Sequence, residues 1–160
     1  MQLGATTPSF DMEHTVDATY PTAHITRAKV EAALARFVGE ISQVPPEYSA
    51  CKVGGARAYS LMRKGRDVEL KPKTLRIDEI ELMDFDATRM RLAVRVVCGK
   101  GTYIRALARD IGRELGSGAF LTSLRRTRIG AVMAEDCVTL DEFPAWLERQ
   151  DIEDNILKGD

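Results

Sequence analysis

The segment best suited to chemistry is Gly99-Lys100-Gly101-Thr102-Tyr103-Ile104-Arg105. Its glycines permit a tight turn, and a helix that starts directly after the turn presents free backbone N–H groups to an anion. Arg105 lies one turn into that helix, on a different face from its apolar stripe, where it can reach whatever lies over the end of the preceding strand. The spacing fits neither a Walker A loop nor G-x-G-x-x-G, so no nucleotide cofactor is predicted. The alternative is a plain strand-to-helix turn followed by a solvated arginine.

A predicted hairpin and helix position this segment. In a predicted strand from Leu75 to Phe85, the alternation of apolar and polar residues is broken near residues 78–80, which indicates a β-bulge. In the next strand, from Arg89 to Cys98, apolar and basic residues alternate with a period of two, so the hairpin should have one wet face. The helix from Thr102 to Leu115 then buries an apolar stripe and ends at Gly116.

The remaining elements are shorter. Thr26 should cap a helix through Phe37 that Gly39 ends, with Val30, Ala33, Leu34, Phe37 and Val38 on its buried face. After Pro45-Pro46 we predict an extended segment over residues 48–52, a helix over 56–64, a strand over 120–130, and a helix that opens with the capping box of Thr139 and Glu142. The fold class is therefore α+β, with helices packed on a mixed, largely antiparallel sheet.

Composition predicts one soluble domain over residues 1–149 and an acidic, frayed tail over 150–160. The chain has 160 residues, 44% hydrophobic and 29% charged. No apolar run is long enough to span a membrane and no signal peptide is recognisable, which favours the cytoplasm. Three scattered cysteines and two histidines predict neither a disulfide framework nor a metal site.

The net charge of −1 conceals an uneven distribution. Residues 99–130 contain seven basic and two acidic residues, for a net charge of +5, whereas residues 131–160 contain two basic and nine acidic residues, for a net charge of −7. A local basic surface can therefore bind phosphate although the whole chain is slightly acidic.

Four blocks of the sequence, in order and spacing, resemble the TruB family of tRNA pseudouridine synthases. They are Pro45-Pro46-x-Tyr48-Ser49-Ala50-x-Lys52; Ala58-Tyr59 with Arg63-x-Gly65; Gly101-Thr102-Tyr103-Ile104-Arg105-x-Leu107-x-x-Asp110-Ile111-Gly112; and Gly118-Ala119 with Leu124-Arg125-Arg126-Thr127. The resemblance covers roughly Leu3 to Phe143. It implies part of a pseudouridine synthase core and isomerisation of the T-loop uridine (position 55) of tRNA to pseudouridine, without cofactor or metal.

The resemblance also implies roles for individual residues. Arg105 matches the arginine that pairs with the family's nucleophilic aspartate, and Tyr103 matches a tyrosine beside the target base. Leu124 matches an apolar residue of the pocket wall, although without the family it reads equally as core. The expected substrate contacts, each of which could instead be a solvated side chain, are Tyr48, Lys52, Lys100, Arg125 and Arg126.

The family's nucleophile block, G-T-L-D-P-L-A-T-G, has no match here; Thr139-Leu140-Asp141 repeats three of its letters but is interpreted as a helix cap. We therefore expect a C-terminal portion of the enzyme that is inactive alone, with self-association through the sheet edge that the missing part would cover as a further hypothesis. A non-catalytic RNA-binding module on the same scaffold, or an acidic domain with an unrelated binding role, is the alternative. The expected partner in the first two cases is tRNA.

Overall fold

The computed structural model describes residues 1–49, 52–53, 56–57 and 70–149. The chain forms two compact units, Met1–Ser123 and Leu124–Asp160. The predicted domain over residues 1–149 includes residues of both units, and its assignment to a catalytic domain stays a prediction. No helix within the described residues is long and apolar enough to cross a membrane.

The first unit is built on a five-stranded sheet in which every pairing is antiparallel. The strands are β1 (Gln2–Leu3), β4 (Gly39–Gln43), β7 (Lys73–Asp86), β8 (Arg91–Cys98) and β9 (Ala119–Phe120). Their order in the sheet is β4-β7-β8-β1-β9. Two-stranded pairs accompany it: β2 (Ala5–Thr6) with β3 (Ala18–Thr19), and β5 (Lys52–Val53) with β6 (Ala56–Arg57). The predicted α+β class is confirmed.

The hairpin of β7 and β8 has the predicted wet face. Alternate residues of β8, from Leu92 to Cys98, pack on the core, whereas Arg95 is exposed and pairs with Glu79 and Glu81 of β7. The register shifts between Ile77 and Glu79, which confirms the predicted bulge, and again between Leu82 and Asp84. Each bulge adds one residue and so returns the following apolar side chains to the core face.

Two helices pack against the sheet. Helix α1 (Arg27–Ala35) begins at the predicted cap, since the Thr26 hydroxyl accepts a hydrogen bond from the Lys29 N–H. Helix α2 (Ile104–Glu114) buries Leu107, Ala108 and Ile111, each with no exposed surface. Full burial of one such large aliphatic side chain stabilises the fold by about 1.5–3 kcal/mol. The core that α2 forms with Leu3, Ile77 and Leu92 therefore holds the start of α2 against the sheet.

Several predictions about the shorter elements are wrong. Helix α1 ends at Ala35 and Gly39 opens β4 instead, so Val38 is 47% exposed. Ala56 and Arg57 pair with β5 as a strand instead of starting a helix, and the rest of that predicted helix lies outside the described residues. Residues 120–130 are not one strand, because β9 ends at Phe120 and the next strand starts at Arg128.

The second unit contains β10 (Arg128–Ile129) paired with β11 (Val132–Met133), a 3-10 turn (Ala134–Asp136) and helix α3 (Phe143–Glu148). The predicted capping box is present before α3: the Thr139 N–H donates to the Glu142 carboxylate, and the Glu142 N–H donates to the Thr139 hydroxyl. This reciprocal pairing lowers the pKa of Glu142, because the backbone N–H and the hydroxyl of Thr139 favour its charged form. None of the described residues of the second unit is buried.

Candidate active site

Arg105 lies on the first turn of α2 with its side chain 25% exposed, and its guanidinium contacts two other segments of the first unit. Its Nη1 donates to Asp11 Oδ2 at 2.8 Å and to the Ser9 carbonyl at 3.2 Å, and its Nη2 donates to the Tyr48 carbonyl at 2.7 Å. The prediction of a solvated arginine is therefore wrong. Arg105 is held by one carboxylate and two backbone acceptors.

The carboxylate belongs to a tightly bonded turn over residues 7–13, here called the Asp11 loop. Asp11 Oδ1 accepts hydrogen bonds from the Ser9 hydroxyl and the Glu13 N–H, and the Thr7 hydroxyl donates to the Asp11 carbonyl. Thr7 and Ser9 are buried. Burial acts to raise the pKa of Asp11, but the hydrogen bonds from Ser9 and Glu13, together with the charge and hydrogen bond of Arg105, outweigh it and hold that pKa below its ordinary value.

The second segment that Arg105 contacts runs from the end of β4 through residues 44–48. It is bound to α2 at three points: Gln43 Oε1 accepts from the Tyr103 N–H at 2.9 Å, the Val44 carbonyl accepts from Arg109 at 3.0 Å, and the Tyr48 carbonyl accepts from Arg105. Pro45 and Pro46 between them are fully buried. Because proline has no N–H, these two residues can be buried without leaving a donor unpaired.

Gln43 is itself 1% exposed, and its Nε2 has no hydrogen-bond partner among the described residues. The amide orientation is determined by the Tyr103 N–H, which requires the oxygen. Tyr103, the residue that precedes α2, has no side-chain cap of its own. Gln43 therefore determines where α2 begins relative to β4, and its NH2 group remains a buried donor beside the start of the helix.

The turn that leads into α2 requires one of its two glycines. Gly101 has a φ of +88°, a conformation that side-chain-bearing residues rarely adopt, and the Thr102 hydroxyl closes the turn on the Gly99 carbonyl at 2.9 Å. Lys100 at its tip is exposed. The half-buried Tyr48 lies against His14, with 4.9 Å between their ring centroids.

The structure brings together only some of the predicted site residues. Arg105 binds the Tyr48 carbonyl, and the backbone N–H of Tyr103, two residues before Arg105, binds Gln43 of the same segment. Lys52 belongs to β5, and its side chain is not among those that the structure describes. In the second unit Leu124 is 63% exposed, so its interpretation as core is wrong, and Arg125 and Arg126 are exposed as well. The proposed roles of these residues in substrate binding stay predictions.

Sequence reasoning missed Asp11, Ser9, Gln43 and Arg109. Asp11 is one of 24 acidic residues and lies 94 positions from Arg105, so nothing in its spacing singles it out. The order Ser9-x-Asp11 is typical of a turn closed by its own side chains, and that was the available signal. Within the described residues, no three His, Cys, Asp or Glu side chains are grouped so as to hold a metal ion.

The guanidinium of Arg105 retains unused hydrogen-bonding capacity. Of its five N–H donors, those on Nη1 and one on Nη2 are engaged, and Nε–H and the other Nη2 donor have no partner among the described residues. Nε–H is therefore available to a second anion, while Asp11 binds Nη1 and the Tyr48 carbonyl binds Nη2.

Comparison with known proteins gives two family matches that divide the chain within α2. A family model described as TruB family pseudouridylate synthase (N terminal domain) matches residues 1–104, and one described as tRNA pseudouridylate synthase B C-terminal domain matches residues 105–159. A solved structure titled "Crystal Structure of a Cbf5-Nop10-Gar1 Complex" is similar with a TM-score of 0.59 and 30% identity, over 78% of this chain and 33% of that one.

Curated relatives carry the name tRNA pseudouridine synthase B. The protein from Phocaeicola vulgatus is 64% identical over 98% of this chain, and that from Bacteroides fragilis is 62% identical over 96% of it. The protein from Mycobacterium tuberculosis is 46% identical over 89% of the chain. The chain spans 66%, 65% and 49% of the lengths of these three relatives. With a family match over residues 1–104, the chain belongs to the TruB family of pseudouridylate synthases.

Proposed function

We propose that this chain is part of a tRNA pseudouridine synthase that isomerises the T-loop uridine (position 55) of tRNA to pseudouridine. The observation that carries the proposal is the guanidinium of Arg105, which Asp11 and two carbonyls hold on one side. Its remaining donors suit a second carboxylate, which is what a nucleophilic aspartate from another segment would supply. Membership of the TruB family supports the same reaction.

In this reaction the aspartate acts as the nucleophile that breaks the N-glycosidic bond at C1′, the base rotates, and its C5 forms a C–C bond to C1′. C5 loses its proton and N1 gains one, so uridine and pseudouridine are isomers. Arg105 orients the attacking carboxylate, and Tyr103, one residue before α2, lies beside the base. The uridine must first leave its stack, which costs a few kcal/mol. Stacking on an aromatic side chain and phosphate contacts from Lys52, Lys100, Arg125 and Arg126 offset that cost. Leu124 forms an apolar wall of the pocket, and Tyr48 contributes to substrate binding.

The 160 residues alone are expected to be inactive, because Arg105 has no nucleophile to position. The test compares pseudouridine formation by this chain with that by a longer chain that also contains a G-T-L-D-type block. Turnover by the longer chain only is the expected result. Turnover by the 160 residues alone would contradict the assignment of the nucleophile to another segment.

The role of Arg105 is tested in the longer chain with Arg105→Met, which keeps the apolar stem and removes every donor. Turnover should fall by far more than tRNA affinity, because the guanidinium acts on the carboxylate and not on the RNA backbone. Arg113→Met, two turns further along α2 and exposed, is the matched control and should leave both unchanged. Equal losses of turnover and affinity in Arg105→Met would make Arg105 a phosphate contact instead.

A second candidate is a non-catalytic RNA-binding module, and the Arg105–Asp11 pair favours it specifically. Because that pair already neutralises the guanidinium within this chain, the arginine has a structural use that needs no nucleophile. Both candidates predict tRNA binding that weakens as salt rises, since phosphate contacts release counterions. Only the first predicts turnover in the longer chain. Salt-independent binding, or none, would argue against both.

Two further expectations follow from the first candidate. In the longer chain, a further segment would cover one edge of the sheet. In the 160 residues alone that edge is uncovered, so these chains should self-associate at high concentration through one of the two outer strands of the sheet, β4 or β9. Light scattering that finds a strict monomer would contradict this. A cytoplasmic location accords with tRNA as the substrate.

A further inference from the structure

Arg109 is a buried arginine to which the proposed reaction assigns no role. It lies one turn after Arg105 on α2, and its side chain is 8% exposed. Its Nε and Nη2 bind the two carboxylate oxygens of the neighbouring Asp110 at 2.8 and 3.1 Å, so its charge is neutralised locally. The remaining contacts of this guanidinium point to a different use.

Those contacts lie on the same two segments that hold Arg105. Nη2 of Arg109 donates to the Val44 carbonyl at 3.0 Å, within residues 43–48, and its guanidinium carbon lies over the ring of Phe10, 5.1 Å from the centroid. Phe10 stands between Ser9 and Asp11, the two residues whose oxygens accept from Nη1 of Arg105. Arg105 and Arg109, which are one helical turn apart, therefore contact the same two segments, the Asp11 loop and residues 43–48.

Phe10 has an unusual backbone conformation that needs such support. Its φ is +61°, in the left-handed region that residues with a bulky side chain rarely adopt. Two backbone hydrogen bonds accompany it: its N–H donates to the Thr7 carbonyl at 3.1 Å, and its carbonyl accepts from the Leu121 N–H at 2.9 Å. If Phe10 relaxed to an extended conformation, the chain would change direction at the residue between Ser9 and Asp11. The oxygens that face Arg105 would then move apart.

We propose that Arg109 is a positioning residue: by stacking on Phe10 and binding the Val44 carbonyl, it keeps the Asp11 loop in the conformation that aims Ser9 and Asp11 at Arg105. Asp110 fixes the orientation of this guanidinium by binding its Nε and Nη2. A merely structural arginine would stabilise the fold without controlling the environment of the Asp11 carboxylate. The positioning of Arg105 is a property of this chain, whereas its consequence for turnover rests on the proposed function.

The test is the titration of the Asp11 carboxyl, followed by carbon-13 NMR in the 160-residue chain. The donors that face this carboxylate are the Ser9 hydroxyl, the Glu13 N–H and Arg105, which is the cation that acts on it. In Arg109→Met the Asp11 loop should lose its alignment, and the titration midpoint of Asp11 should shift upward toward that of an ordinary aspartate. Arg113→Met removes an exposed charge from the same helix and should leave the midpoint unchanged.

Phe10→Leu separates positioning from charge, because it keeps every ionisable group and removes the ring. It should shift the Asp11 midpoint in the same direction as Arg109→Met. The double variant should shift the midpoint little further than Arg109→Met alone, since both changes break the contact between the Arg109 guanidinium and the Phe10 ring. An unchanged midpoint in folded Arg109→Met overturns the proposal. If that variant does not fold, an unchanged midpoint in Phe10→Leu overturns it.

Turnover in the longer chain gives the second readout. Arg109→Met should lower the maximal rate while tRNA affinity stays as in the unsubstituted protein, and Arg109→Lys, which restores a cation over the ring, should recover part of it. A normal rate in Arg109→Met despite a shifted Asp11 midpoint would overturn the link to turnover. Should the unsubstituted longer chain itself form no pseudouridine, the proposed function fails, and the titration still decides the role of Arg109.

Discussion

Asp11 is the residue through which pH acts on the candidate site. Its pKa is held below the ordinary value, since the hydrogen bonds from Ser9 and Glu13 and the contact with Arg105 together outweigh the cost of burial. Because the charged form is favoured in the folded state, the carboxylate stabilises the protein at neutral pH. That contribution is present above the pKa of an unfolded aspartate, about 3.9, and is lost as the pH falls through the lower value of the folded state.

Asp11→Asn should therefore reduce the free energy of unfolding most at neutral pH, and its difference from the unsubstituted chain should narrow as the pH falls below about 4. We expect a loss of about 1.5–3 kcal/mol at pH 7, the range for hydrogen bonds to charged groups. Urea unfolding at a series of pH values measures it. A difference in the free energy of unfolding that stays constant down to pH 2 would contradict the dependence of stability on the ionisation of Asp11. Asp17→Asn is the control, because the exposed Asp17 accepts from Thr6 and has no arginine partner among the described residues.

Helix α2 is the element that holds the site together, and its Gly112 leaves no room for a side chain against the neighbouring backbone. A Cβ added there would lie 2.5 Å from the Ala119 nitrogen and 2.7 Å from the Gly118 carbonyl carbon. Those atoms belong to the backbone that enters β9, so neither can move away cheaply. The lack of a side chain at Gly112 therefore lets α2 approach β9 closely and brings Arg105 and Arg109 over their partners.

Gly112→Ala should destabilise the chain by about 1–3 kcal/mol through overpacking, although alanine is the better helix former by about 1 kcal/mol. Thermal or urea unfolding gives the sign directly. Gly99→Ala is the matched control: its φ is ordinary and the nearest atom, the Arg76 carbonyl oxygen, is 3.6 Å from an added Cβ. A stabilised Gly112→Ala would mean that α2 and β9 are less closely packed than described.

The whole molecule consists of two units that differ in how much they bury. The first contains the core residues of the described chain, from Met1 through Leu121. In the second, residues 124–149 include none that is buried, and Ile129, Leu140 and Phe143 are exposed. Burial of apolar surface is the main source of folding free energy, so the stability of the first unit should not depend on the second.

Truncation after Ser123 should leave a chain that unfolds cooperatively at nearly the same urea midpoint as the full 160 residues. The physical reason is that none of the deleted residues that the structure describes, 124–149, is buried. Circular dichroism and urea titration of both chains measure this. Truncation after Gly116, which also deletes β9 and the buried Ala119 and Leu121, should prevent cooperative folding. Loss of cooperative unfolding in the chain truncated after Ser123 would contradict the independent stability of the first unit.

Sequence periodicity predicted the long elements well, because side chains repeat every two residues in a strand and every 3.6 in a helix. The prediction of a strand over residues 75–85 corresponds to β7 (Lys73–Asp86), and the first bulge was evident from its broken alternation. Short elements were predicted poorly: Ala56 and Arg57 form a strand through pairing with β5. Where few residues make an element, its partner decides the conformation more than its own propensity does.

The sequence by itself determined the family, the hairpin and the presence of a helix that carries Arg105, because these follow from residues close together in the chain, although α2 begins at Ile104, two residues after the predicted start. The tertiary structure alone decided which carboxylate faces that arginine. Asp11 and Arg105 are 94 positions apart, and a hydrogen bond depends on distance and direction in space. Likewise, Arg109 reads as part of a basic helical stripe, and only the folded chain brings it over Phe10 and the Val44 carbonyl. Local patterns identify which residues are available for chemistry, whereas packing determines which of them meet.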